Sequence, residues 1–291
     1  MAAFKTAAVF AKRTEPMADA LLALLDILKK EGVQARLEET TAQHLSGYPG
    51  YSLEQLGREC DVIIIIGGDG TTLGIARRMR QYHLPIIAIN GGRLGFITDF
   101  SSADMREHLP SMLRGNFDPD VRAMLWGQLI RDQKVIFEGP AVNEVGITHG
   151  RAGSMVEFAV SVNGSAMARQ RADGVIVSTA TGSTAYAMAA GGPILHPALQ
   201  AMVLVPIAPH TLSNRPIVLP STSKVEMRLM NANEASMYCD MQDFVPMQKG
   251  DRLIISTLPR SFTLLHPSGH NHYETLRQKL HWNRMPTDGD N

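Results

Sequence analysis

Asp61-Val-Ile-Ile-Ile-Ile-Gly-Gly-Asp-Gly-Thr71 is the stretch that decides the fold. Four consecutive isoleucines, Ile63 to Ile66, are apolar on both faces of an extended chain, which is the pattern of a strand buried in a parallel sheet covered by helices. Asp61 and Gly67 bound that strand. Gly67, Gly68 and Gly70 let the backbone approach a ligand closely, and Thr71 or Thr72 is placed to cap the helix expected next. A helix N-terminus offers unpaired N–H groups and a partial positive charge, so the turn suits a pyrophosphate or triphosphate. Asp69 at its tip repels phosphate unless a divalent cation intervenes or the carboxylate takes a proton from an attacking hydroxyl. The alternative is a tight strand-to-helix turn in which Asp69 is simply solvated.

The standard nucleotide fingerprints do not fit. No glycine-rich run ends in Gly-Lys-Ser or Gly-Lys-Thr, which excludes a Walker A loop. The dinucleotide pattern G-x-G-x-x-G fails because Leu73 stands at the third glycine and Asn90, not an acid, closes the next strand.

At 291 residues, 44% hydrophobic and 19% charged, the chain has the composition of a soluble globular protein long enough for two domains. Lys and Arg number 28 against 28 Asp and Glu, so no broad basic field recruits nucleic acid or an anionic membrane. Two distant cysteines, Cys60 and Cys239, build neither a disulfide scaffold nor a cysteine zinc site, and a reducing cytoplasm is the expected home. Met1 to Arg13 is too short an apolar stretch for a signal peptide, and no run approaches membrane-spanning length.

The first third alternates strand and helix: Ala7 to Ala11, a helix over Met17 to Lys30 with Leu21, Leu24, Leu25 and Leu28 at helical spacing, and a strand over Val33 to Leu37. After the isoleucine strand come a helix from about Thr71 to Tyr82, a strand over Pro85 to Asn90, and a helix near Ala103 to Arg114. This is an open, mostly parallel α/β domain, expected over 1–118, with its ligand crevice at strand C-termini. From 119 to 266 the pattern is β-rich, with strands expected over Leu125 to Arg131, Lys134 to Phe137, Val145 to Thr148, Met155 to Val162 and Val175 to Ser178. Asn163-Gly164 between two alternating runs signals a hairpin. Over 267–291 a closing helix, Tyr273 to His281, and a frayed tail, Met285 to Asn291, are expected to return to the first domain.

Three clusters in the β-rich region carry chemistry. Asn143-Glu144 pairs an amide with a carboxylate, which could fork onto ribose hydroxyls or a base edge, or form a solvated Asx-type turn. Arg171-Ala-Asp173, followed by the hydroxyl-rich run Ser178 to Tyr186, brings hydroxyl and N–H groups to one loop where a sugar or phosphate can bind. Tyr186 offers a stacking face; the alternative is close backbone packing with Tyr186 in the core. In Pro209-His210-Thr-Leu-Ser213-Asn-Arg215-Pro216, His210 and Arg215 could face phosphate, although a lone histidine is more often structural.

Together these segments resemble the bacterial NAD kinases. The resemblance is carried by Gly67-Gly-Asp-Gly-Thr71, Leu94-Gly-Phe96, Asn143-Glu144, Asp173 to Tyr186, Gly191-Gly-Pro193, Pro209 to Ser213 with Arg215-Pro216, Cys239-Asp240 and Tyr273 to Trp282, in order over nearly the whole chain. It implies an α/β N-terminal domain followed by a β-sandwich-like NAD-binding domain with the active site between them. It also implies phosphoryl transfer from ATP, with Mg²⁺ on its phosphates and no resident metal site, to the adenosine 2′-hydroxyl of NAD. Asp69 would be the base. Gly67, Gly68, Gly70, Thr71 and His210 would serve ATP, and Asp69, Gly70, Phe96, Asn143, Glu144, Arg171, Asp173, Thr181, Thr184, Ala185, Tyr186, Ala189 and Gln242 would serve NAD. A dimer or tetramer is implied too, with neither nucleic acid nor membrane as partner. Ala180 stands where the family usually has proline, which frees φ, and Ala189 replaces a frequent serine, which removes one hydrogen bond. A lipid or sugar kinase would keep Asp69 but need no Asn143-Glu144, and a non-catalytic dinucleotide sensor would need no base.

Overall fold

The computed structural model describes residues 2–12, 17–92, 95–150, 155–211, 213–231 and 234–282. Leu94 and the tail from Met285 to Asn291 lie outside them. Of the described residues, those up to Val121 and from Phe262 onward form one compact unit, and Arg122–Ser261 form the other.

The first unit is built around a parallel sheet. Val62–Gly67 pairs with Thr6–Ala11 on one side and Ile86–Asn90 on the other, Gln34–Glu38 extends the sheet beyond Thr6–Ala11, and Leu264 pairs with Ile86 at the opposite side. Ile63 to Ile66 are buried on both faces, each burial contributing about 1.5–3 kcal/mol. The helix Ala18–Lys30 lays Leu21, Leu24, Ile27 and Leu28 onto one face, with Leu25 packed at the margin of the same core. The expected helices near Thr71 and Ala103 are Asp69–Met79, continued by a 3₁₀ turn over Arg80–Tyr82, and Met105–Leu113. Asn271 caps the closing helix, His272–Leu280, by accepting from the Tyr273 N–H.

The second unit is antiparallel throughout. One sheet runs in the order Ile217–Pro220, Ala201–Ile207, Gly174–Thr179, Glu144–His149, Ala235–Cys239, Asp243–Met247. A second set joins Ser165–Ala172, Val156–Val162, Val225–Leu229 and the start of the long strand Arg252–Pro267, with Phe117–Arg131 paired to Lys134–Ala141. Alternate residues from both sets, including Val145, Ile147, Val175 and Val177 with Phe158, Val160, Met227 and Ile255, share one core, as in a sandwich. The Asn163-Gly164 hairpin forms with both residues at positive φ, 51° and 81°. Asp132-Gln133 makes a like turn at 46° and 63° without any glycine to announce it.

Candidate functional site

One candidate cluster sits where the isoleucine strand ends. Gly68 is the N-cap, and its carbonyl accepts from the Thr71 and Thr72 N–H groups and the Thr72 hydroxyl. The helix therefore starts at Asp69, and the two threonines lie inside its first turn rather than capping it. Asp69 is its first residue, where a carboxylate complements the helix dipole. Its oxygens accept from the Phe96 N–H at 2.8 Å and the Ile97 N–H at 3.2 Å, which fixes the carboxylate against the 95–98 loop. A Cβ at Gly95 would overlap that carboxylate, so glycine is required there. The loop is tied in turn to Asn90, whose side chain donates to the Thr98 hydroxyl (2.9 Å) and accepts from the Gly92 N–H (2.6 Å). Asn90, unexpected at this strand end, is thus a brace for the loop that holds Asp69. Lys279 of the closing helix lies within electrostatic reach of Asp69; burial pulls its ammonium down in pKa while Asp69 pushes it up.

A second cluster, within the other unit, is organised by Asp240. This buried aspartate, at φ 50°, accepts from the N–H groups of Val142 (2.8 Å), Asn143 (2.7 Å) and Glu144 (3.0 Å). Three charge-assisted bonds hold the Asn143-Glu144 turn rigidly. Glu144 is the first residue of its strand, 3% exposed, and its Oε2 has no hydrogen-bond partner. Burial first, and then the charge of Asp240, push its carboxyl up to about 8. The Tyr238 hydroxyl beside it is also buried without a partner. Two unmatched buried polar groups close together cost free energy that a hydrogen-bonding partner can recover. Of the alternatives for Asn143-Glu144, the solvated acid is ruled out.

The hydroxyl-rich loop departs from its expected use. Ser178 donates to the Asn143 carbonyl and Thr179 to the Val142 carbonyl; Ser183 donates to the Ala180 carbonyl and accepts from the Leu195 N–H; Thr181 is buried and accepts from Arg122. Ser178 and Thr179 clamp this segment onto the Asn143 turn, Ser183 holds the loop to itself and to Leu195, and a Cβ at Gly182 would overlap the Asn143 backbone. Thr184, Ala185, half-exposed Tyr186 and Ala189 form the outer lip, on a 3₁₀ turn and a one-turn helix. Ala180 has φ −59°, inside the range a proline ring imposes. Ala180→Pro is therefore expected to stabilise the fold by about 0.4–1 kcal/mol by restricting the unfolded chain. A thermal melt checks this, and a lower midpoint would refute it.

Exposed Arg171 lies beside His210, whose backbone N–H donates to the Arg171 carbonyl at 2.9 Å, and the Asp173 N–H donates to the Ile207 carbonyl at 3.0 Å. Gln242 is exposed just beyond Asp240, and its N–H donates to the Cys239 carbonyl. Asp240, Gly95, Arg122 and Lys279 were not singled out for roles in the sequence. Cys239-Asp240, one of the segments that carry the resemblance, was the signal for the first.

The model of the family described as ATP-NAD kinase N-terminal domain matches residues 28–117, and that of the ATP-NAD kinase C-terminal domain matches residues 142–266. The NAD kinase of Cupriavidus pinatubonensis is 46% identical over 288 residues, covering 98% of this chain and 94% of that protein. That of Ralstonia nicotianae is 44% identical over 288 residues, covering 98% and 95%. Among solved structures, an NAD kinase from Archaeoglobus fulgidus in complex with ATP aligns with TM-score 0.72 at 26% identity, over 95% of this chain and 98% of that one. Yeast NADH kinase complexed with NADH shares the fold, with TM-score 0.85 at 21% identity over 98% and 90%. With both domains matched and relatives this similar along nearly their whole length, the chain belongs to the NAD kinase family.

Proposed function

We propose that this chain transfers the γ-phosphoryl group of ATP to the 2′-hydroxyl of the adenosine ribose of NAD, giving NADP and ADP. The observation that carries this reading is Asp69, a carboxylate fixed by two backbone N–H groups at the first residue of a helix that follows a glycine turn. Asp69 accepts the 2′-hydroxyl proton as the oxygen attacks the γ-phosphorus, and the bond from that phosphorus to the β-phosphate oxygen breaks to release ADP. ATP enters as its Mg²⁺ complex, so the cation belongs to the substrate and offsets phosphate charge. Gly67, Gly68, Gly70, Thr71 and His210 are assigned to the phosphates. Phe96, Asn143, Glu144, Arg171, Asp173, Thr184, Ala185, Tyr186, Ala189 and Gln242 are assigned to NAD, with Thr181 shaping the loop from within. Glu144 suits a ribose because its unpaired oxygen awaits a hydroxyl donor.

A cytoplasmic home is supported by the two buried cysteines, Cys60 and Cys239, which are not joined in a disulfide. A dimer or tetramer is supported by the exposed apolar side chains Val135, Ile136, Ile217, Val218 and Phe244. No helix among the described residues is long and apolar enough to cross a membrane. The function is tested by incubating the protein with Mg²⁺, ATP and either NAD or NADH, coupled to a strictly NADP-dependent reporter enzyme. NADP or NADPH formation is expected. NAD binding without phosphoryl transfer from any donor would instead make the chain a dinucleotide sensor.

A further inference from the structure

In the first unit, Asp99 meets two histidines from a distant part of the sequence, His266 and His270. Asp99 Oδ1 lies 2.8 Å from His266 Nδ1 and 3.2 Å from His270 Nδ1, and the two imidazoles stack with centroids 4.0 Å apart and planes 15° from parallel. Both rings thus turn the same nitrogen toward one carboxylate, and the three donor atoms all lie within 4.8 Å of one another. In a tetrahedral site with metal–ligand bonds of about 2.0–2.1 Å, neighbouring ligand atoms stand roughly 3.3 Å apart. The two Asp99–imidazole distances already approximate such edges.

Two further observations point to a cation. His266 Nε2 faces Asp120 Oδ2 at 3.3 Å, which is the carboxylate–histidine arrangement that fixes the tautomer and orientation of a metal-bound imidazole. Asp99 and His270 also line an open pocket of about 200 Å³, shared with Glu274, Thr275 and Gln278 among others, with room for a water on an open coordination position. His266 is buried, whereas the His270 side chain is 23% exposed and gives access from the pocket.

We infer that Asp99, His266 and His270 form a binding site for a divalent transition-metal cation of the Zn²⁺ class, distinct from the Mg²⁺ carried by ATP. Two imidazoles and one carboxylate suit Zn²⁺, Co²⁺ or Ni²⁺, whereas Mg²⁺ and Ca²⁺ favour all-oxygen shells. A bound cation joins the His266–His270 turn to Asp99, two residues after the Ile97 N–H that holds Asp69, and so braces the loop beneath that carboxylate.

The test uses the full chain after chelator treatment, without nucleotide, titrated with Co²⁺. Saturable uptake of one cation per chain is expected, with visible d–d absorption of a four- or five-coordinate site that Zn²⁺ abolishes by displacement. His270→Ala, at a partly exposed position, is expected to weaken Co²⁺ binding about 100-fold or more, and Asp120→Asn about 10–100-fold by freeing the His266 ring. Circular dichroism verifies that both variants are folded. Absence of the absorption band in the native chain, or Co²⁺ binding equally tight in His270→Ala, would overturn the site and leave the cluster a hydrogen-bonded brace.

Discussion

Asp69→Asn is expected to lower kcat by about 10²–10⁴-fold, the span that general-base assistance supplies. The substitution keeps size and shape but removes the proton acceptor. It also turns one amide NH₂ toward a backbone donor, because both Asp69 oxygens now accept, from Phe96 and Ile97. One of those bonds is lost at a cost of about 1 kcal/mol, which leaves the chain folded. NAD affinity, measured by calorimetry, should change little beside the loss in kcat. A variant that keeps kcat within tenfold of the native chain would show that Asp69 positions substrate rather than taking the proton.

Glu144→Gln is expected to separate stability from binding. In the folded chain burial and Asp240 push the Glu144 carboxyl up to about 8, from an ordinary value of 4.5. Between those values the folded state holds a proton that the unfolded state has released. Stability therefore falls as pH rises through that window, and above it the buried charge costs on the order of 5 kcal/mol. Glutamine carries no such charge. Melting midpoints of native and variant chains should lie close together at pH 5, and the variant should melt higher at pH 8.5, by roughly 2–4 °C for each kcal/mol. Affinity for NAD at pH 8.5, where the native carboxyl is ionised, should fall about 10–100-fold, since hydrogen bonds to a charged group are worth about 1.5–3 kcal/mol. Parallel pH profiles for the two chains would contradict the buried, unpartnered position of this carboxyl.

How much of this was legible follows from the range of the interactions involved. The parallel sheet was readable because Ile63 to Ile66 state a two-faced burial within one strand, and the hairpin at Asn163-Gly164 because its turn chemistry is local. The Asp132-Gln133 turn was not, since two non-glycine residues adopt positive φ only under the pairing of the strands they join. Asp69 and Asn143-Glu144 stood out as polar groups at strand ends. Their supports did not: Asp240 reaches the Asn143 N–H across 97 positions, and Gly95 matters only because the Asp69 carboxylate occupies its side-chain space. The serines and threonines from Ser178 to Ser183 suggested ligand contacts by composition, but most of their hydroxyls are used inside the loop. Residue type alone does not say which way a short side chain turns. His266 and His270 stand at a ligand-like spacing, but Asp99, 167 positions before His266, carries no local signal that it joins them.

The most direct test of phosphorylation at the 2′-hydroxyl is phosphorus NMR of the product formed from NAD and Mg²⁺-bound ATP. The account predicts a new phosphomonoester resonance assigned to the adenosine 2′-oxygen, growing in step with ADP and absent with Asp69→Asn. ATP consumed to inorganic phosphate with NAD unchanged, or a monoester on the 3′-oxygen instead, would contradict it.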